Sequence, residues 1–226
     1  MAIVTMILGN SGEGKSYSMK NLDPAATGII NVMNKPLPFR GGKHMKKVAT
    51  DNAAQICNIL MKSQAPVIVI DDFQYIMGNE YIRGATQQFK GDAAFQRYNQ
   101  MAYNAWSIID TAINKVSDDK RVYILAHVQE DNGRTRIKTI GKMLDDKIVL
   151  EGMVTMVLQT QVQDDGHFFM TQNNGFNTVK SPDEMFDGPL IPNDLNLVDD
   201  AICDYYGISK NGFAQEEQDY QQHEMA

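Results

Sequence analysis

Residues 9–16 read Gly9-Asn10-Ser11-Gly12-Glu13-Gly14-Lys15-Ser16, with Tyr17 next. This matches the phosphate-loop pattern G-x-x-x-x-G-K-[ST] in full. Glycines in such a loop let successive backbone N–H groups turn inward around phosphate oxygens. Lys15 is then placed to reach the β- and γ-phosphates of ATP, and the Ser16 hydroxyl to reach Mg²⁺. The flanks agree with the mechanism. Residues 3–8 (IVTMIL) form an apolar, partly β-branched run that predicts a buried strand, and Lys15 to Leu22 predicts a helix closed by Asp23-Pro24. That helix would turn its positive end toward the same anion.

Working outward, apolar strands alternate with helical patterns. Strands are predicted at 28–33 (GIINVM), 67–70 (VIVI) and 122–128 (VYILAHV). Asp51 is positioned to cap a helix carrying Ile56, Ile59 and Leu60, and Asp92 opens a long helix. On that helix Phe95, Ala102, Ala105, Trp106, Ile109, Ala112 and Ile113 share one stripe. The alternation predicts an α/β fold, a mostly parallel sheet with helices on both faces. Residues 134–140, 153–162 and 167–172 read instead as strands with short turns, a β-hairpin-rich C-terminal extension. We expect one domain over 1–207 and a polar, Gln/Glu-rich, disordered tail over 208–226.

A phosphate loop works with a carboxylate at the end of another core strand. VIVI-Asp71-Asp72 has that form, which makes Asp71 the metal-side candidate. Asp72 is either the base that activates water or an acid that merely begins a loop. His127 closes the 122–128 strand and either senses the terminal phosphate or is a core histidine. Catalytic roles are thus expected at Lys15, Asp71, Asp72 and His127.

Two basic clusters stand apart. Lys35, Arg40, Lys43, Lys46 and Lys47 lie in a loop broken by prolines and glycines, suited to a nucleic-acid backbone or to solvent. Asp131-Asn132-Gly133 signals a hairpin, after which Arg134, Arg136 and Lys138 alternate on one strand face, with Thr135, Ile137 and Thr139 on the other. That ribbon would track phosphates, enter a neighbouring subunit's nucleotide site, or face water; Lys142 is a further candidate for a contact between subunits. Phe39, Phe89, Phe168 and Phe169 lie near these charges, for base stacking or for core packing.

Composition narrows the class. The 226 residues hold two cysteines, which gives no disulfide framework or cysteine metal site, and four histidines without ligand spacing. No apolar run reaches membrane-span length and the apolar start lacks a basic flank, so a soluble cytoplasmic protein is expected. The net charge of −7 argues against a nucleic-acid coat protein, but it is unevenly spread. Residues 183–226 contain eleven acids and one base, leaving seventeen acids and twenty bases in the remainder.

In this order the motifs resemble RecA-like or AAA-type P-loop ATPases. More narrowly, the chain resembles bacteriophage-encoded ATP-binding proteins with a RecA-type core, some of which act in single-strand annealing and recombination. The segments that carry the likeness are GNSGEGKS (9–16), NKPLPFRGG (34–42), VIVIDD (67–72), YILAHV (123–128), TIGKMLDDKIVLEG (139–152), NTVKSPDEMF (177–186) and IPNDL (191–195). The resemblance implies ATP, Mg²⁺, single-stranded DNA, phage recombination or replication proteins as partners, and a homo-oligomeric ring or filament. One departure matters: where RecA places a catalytic glutamate after its second strand, Asn34-Lys35 stands here. A small-molecule kinase and a non-hydrolysing, nucleotide-gated loader or packaging accessory are the alternatives.

Overall fold

The computed structural model describes residues 1–87 and 91–211, apart from the side chains of Ala94, Lys142 and Met143. Nine strands join in one sheet: β1 (Ile3–Gly9), β2 (Thr27–Asn31), β3 (Lys46–Val48), β4 (Val67–Asp71), β5 (Arg121–Asp131), β6 (Arg134–Ile137), β7 (Met156–Gln163), β8 (Gly166–Met170) and β9 (Leu190–Pro192). Their order is β3-β2-β4-β5-β1-β7-β8-β9, with β6 pairing β5. The pairs from β3 to β7 along that path are parallel, while β7–β8, β8–β9 and β5–β6 are antiparallel. This is the expected α/β class with its β-hairpin-rich extension.

The central strands are mostly apolar because both faces are covered. Met6, Leu8, Ile68, Ile70, Val122 and Ile124 pack against α1 (Ala53–Lys62), α2 (Gln74–Arg83) and α3 (Asp92–Asn114) on one face. Ile7, Val67, Val69, Tyr123 and Leu125 pack on the other against α5 (Leu195–Tyr206). A short helix, α4 (Lys142–Asp145), follows β6. No helix of the described residues is long and apolar enough to cross a membrane.

Several local expectations change. The segment after the phosphate loop is a six-residue 3-10 helix, Ser16–Asn21, rather than the expected α-helix. Asn52, not Asp51, caps α1, accepting the Gln55 N–H at 3.0 Å, while Asp51 binds Arg83 and Asn79 of α2. On α3 the buried stripe is Met101, Ala105, Ile108, Ile109 and Ala112; Phe95 lies one turn beyond the packed part and is exposed. The hairpin at 131–134 forms as read, with Asn132 and Gly133 both at positive φ.

The C-terminal segment is tied down through a buried network. Arg121 is fully buried and makes two 3.0 Å bonds to Asp199 of α5, whose Oδ1 also accepts the Tyr123 hydroxyl at 2.7 Å. The same guanidinium donates to the carbonyl of Lys210 at 2.7 Å. Residues 208–211 are therefore docked on the start of β5, and the rest of the expected tail, 212–226, lies outside the described residues, as does Phe89.

Candidate nucleotide site

Three adjacent parallel strands deliver the site residues to one edge of the sheet. In register, Gly9 of β1 pairs with His127 of β5, and Asn31 of β2 pairs with Asp71 of β4. β5 lies between β1 and β4. The phosphate loop, the two acids and the histidine thus converge at the carboxyl ends of neighbouring strands, where open α/β sheets bind ligands.

The loop is shaped by its glycines and by the antiparallel extension. Gly12 and Gly14 have φ of 85° and 97°, values that side-chain-bearing residues resist. A Cβ on Gly9 would overlap Thr160 of β7, and one on Gly14 would overlap Asn193, just after β9. Asn193 donates to the Gly14 carbonyl at 3.1 Å, and His167 Nδ1 lies 3.1 Å from the Glu13 carbonyl. Glu13 itself folds across the loop, accepting the Asn10 backbone N–H at 2.7 Å and the Thr160 hydroxyl at 2.8 Å. Burial alone would raise the Glu13 carboxyl, but the Asn10 and Thr160 hydrogen bonds outweigh it and hold it below its usual range. Thr160, His167 and Asn193 have no signal in the sequence: they meet the loop only because β7 lies beside β1.

Lys15 is buried and donates to the carbonyls of Gly9 and Asn10 at 2.8 and 2.7 Å. Burial lowers its ammonium below the usual range despite Glu13, Asp72 and Asp71 nearby. Ser16 donates to Asp71 Oδ1 at 2.8 Å. The two residues named in advance as metal-side oxygens therefore meet, although 55 positions apart. They offer a hydroxyl and a buried carboxylate, hard oxygen donors of the kind Mg²⁺ takes when most of its shell is water and phosphate. Among the described residues no cluster of three or more His, Cys, Asp or Glu forms a self-sufficient metal cage.

Asp72 sits at φ 67° and is buried. Its Oδ2 is 2.5 Å from Lys35 Nζ and its Oδ1 is 3.6 Å from His127 Nε2. Gln74, also missed in the sequence, accepts the His127 backbone N–H at 3.0 Å, and its buried Nε2 has no hydrogen-bond partner.

Lys35 differs from the expectation of a loop cation facing a nucleic-acid backbone or solvent: it belongs to the site through Asp72. Arg40 and Lys43 are exposed on the same loop. In the ribbon, Ile137 lies on the face opposite the basic residues and is buried in the core, and Arg134 and Lys138 are exposed. Arg136 is different: its guanidinium is held by Asp145 at 2.8 Å and Asp131 at 2.9 Å, so it is engaged within the chain. The Lys142 side chain lies outside the described residues. Phe169 is core, not a stacking platform, and Tyr17 is exposed with Lys20 over its ring at 4.6 Å.

Fold and loop together make an α/β architecture with a mostly parallel sheet and a phosphate-loop motif at the carboxyl end of β1. Among solved structures, the chain is similar to an ATPase from the type III secretion system of pathogenic bacteria, at 11% identity and a TM-score of 0.40, over 70% of this chain and 51% of that one. It is also similar to the genome packaging NTPase B204 from Sulfolobus turreted icosahedral virus 2, solved with ATP-gammaS, at 11% identity and a TM-score of 0.33, over 72% of this chain and 76% of that one. The chain thus spans about half the length of the secretion ATPase. No family model matches the chain, and no curated protein does.

Proposed function

We propose that this chain binds a Mg·nucleoside triphosphate, ATP first among them, and hydrolyses it. The observation that carries the reading is the 2.8 Å contact between Ser16 and Asp71, with Asp72 and His127 beside it at the ends of adjacent strands. In this reading the loop amides of 10–16 and Lys15 hold the β- and γ-phosphates, and Ser16 and Asp71 hold the metal. When bound, Mg²⁺ neutralises charge on the phosphate oxygens. Asp72 accepts a proton from the attacking water as the water oxygen bonds to the γ-phosphorus and the bond to the ADP oxygen breaks. A pair of acids after β4 suits water as acceptor, which favours hydrolysis over phosphorylation of a small molecule.

We further propose that the nucleotide state governs handling of single-stranded DNA by a homo-oligomer in phage recombination or replication. Exposed Arg40 and Lys43 on the 35–47 loop, with Arg134 and Lys138 on the hairpin, support it as phosphate-backbone contacts. The test is turnover of Mg·ATP by purified protein, with and without single-stranded DNA, beside Lys15→Ala. Turnover that Lys15→Ala abolishes is expected. Binding without turnover would overturn the hydrolytic reading, and absence of binding the nucleotide reading as a whole. Absence of DNA binding in every nucleotide state would overturn the DNA reading alone.

A further inference from the structure

The loop that follows β2 places a cation where two carboxylates meet. Asn31 ends β2 and clamps Lys35 by its backbone, donating from Nδ2 to the Lys35 carbonyl at 2.6 Å and accepting the Lys35 N–H at 3.2 Å. Asn34, at φ 52°, turns the chain back so that this clamp can close. The root of Lys35 is thus fixed to the strand that pairs with β4, one register position from the acids. Its ammonium lies 2.5 Å from Asp72 Oδ2 and 5.8 Å from the centre of the Tyr75 ring.

The tip of the side chain is otherwise free to move, because it is 57% exposed while Asp72 is 5% exposed. When the ammonium turns away, Asp72 keeps His127 Nε2 at 3.6 Å, so the buried carboxylate is not left without a neighbour. A terminal phosphate carries more charge and more acceptor oxygens than one carboxylate, so it competes well for the same ammonium. The site also needs that cation. Lys15 and Lys35 both act on Asp71, and a γ-phosphate adds negative charge beside the two acids even with Mg²⁺ bound, where a second ammonium is favoured.

We propose that Lys35 is a second phosphate-binding cation of this site, supplied by the chain's own β2 loop, which leaves Asp72 for the terminal phosphate when a triphosphate binds. It follows that the site tells triphosphate from diphosphate through Lys35. The exchange also uncovers the Asp72 carboxylate toward the attacking water only when a γ-phosphate is present. This rests on the nucleotide-binding reading above.

The experiment is calorimetric titration of Mg·ATPγS and of Mg·ADP into wild type, Lys35→Gln, Lys35→Arg and Lys15→Ala. Lys35→Gln should lose about tenfold or more in ATPγS affinity while ADP affinity stays within about threefold, and Lys35→Arg should keep most of the preference. Unchanged ATPγS affinity in Lys35→Gln, or equal loss of both nucleotides, overturns the proposal. Acylation of Lys35 in the wild-type protein, followed by mass spectrometry, tests it without a variant: ATPγS should protect Lys35 and ADP should not. Equal labelling with both would also overturn it. A wild type that binds neither nucleotide, or a Lys15→Ala that binds as wild type does, overturns the nucleotide reading itself and this proposal with it.

Discussion

Asp71 and Asp72 are neighbours in the chain and are driven in opposite directions. Burial, then the charge of Asp72, pushes the Asp71 carboxyl up to about 6, with Ser16 and the two lysines resisting. Burial acts upward on Asp72 too, but His127 and Lys35 outweigh it and hold that carboxyl below its ordinary range. One acid is kept ionised by its partners. The other bears an uncompensated cost of ionisation that a divalent cation would relieve.

That cost predicts a site that is destabilising when nothing is bound. The folded protein keeps a proton on Asp71 up to about pH 6, whereas an unfolded Asp releases it near 3.8. Between those values the folded state binds more protons, so this group's contribution to stability falls as pH rises through the window, by about 3 kcal/mol in all. Asp72 has the opposite sign, adding stability at neutral pH that is lost as pH falls. Asp71→Asn should therefore be more stable than wild type at pH 7 without nucleotide, by about 1–3 kcal/mol, with the difference shrinking toward pH 4. Denaturant unfolding at several pH values measures it, and the same variant should lack Mg-dependent turnover. A less stable Asp71→Asn at pH 7 would contradict the account.

The glycines of the loop give a second expectation, with a built-in control. Gly9→Ala puts its methyl against Thr160 Oγ1, with Glu13 Oε2 at 2.9 Å and Thr160 Cβ at 3.0 Å from the new carbon. It should cost about 1–3 kcal/mol and weaken nucleotide binding. Adding Thr160→Ala removes the hydroxyl and should recover part of both losses. If the second change worsened nucleotide binding, the overlap with Thr160 would not be the cause.

What could be read from the chain follows from burial. β1, β4 and β5 are legible because strands covered on both faces are mostly apolar; Gly9 and Asp71 show as strand ends, whereas β5 runs past His127 to Asp131. Ser16 and Asp71 could be paired in advance because their chemistry requires it. Lys35 could not, since a lysine in a loop looks the same whether it faces water or Asp72; only the pairing of β2 with β4 decides. Thr160, His167, Asn193 and Gln74 were hidden for the same reason, each reaching the site through strand adjacency. α2, β3, β9 and α5 carry short or mixed patterns, and the 3-10 turn at 16–21 replaced an α-helix that local sequence favours.

The buried pair of Arg121 and Asp199 sets a third expectation. Replacing either partner alone leaves a charge without its counter-ion in the interior, which costs about 3–5 kcal/mol. Asp199→Leu should be this severe because Arg121 is left ionised, and Tyr123 loses its acceptor as well. Arg121→Met with Asp199→Leu should cost clearly less than the two single changes added together. Equilibrium unfolding of the three variants measures the coupling; strict additivity would show that the two charges do not depend on each other.

The uneven charge of the chain gives the last. Residues 212–226 contain four acids and neither lysine nor arginine, while the remainder of the chain up to 182 has more bases than acids. An acidic segment of this kind competes with nucleic acid for exposed cations such as Arg40, Lys43 and Lys138. The truncation has to stop after Asn211, because Arg121 donates to the Lys210 carbonyl and the Lys210 ammonium pairs with Asp200. A chain ending there should unfold like wild type yet bind single-stranded DNA several-fold more tightly at about 50 mM salt. The advantage should fade toward about 0.5 M, where charges more than a few ångströms apart are screened. Ending the chain at Gly207 should instead lower stability, since Arg121 would lose the carbonyls of Ser209 and Lys210. Unchanged DNA affinity at low salt in the Asn211 truncation would show that the acidic segment does not compete.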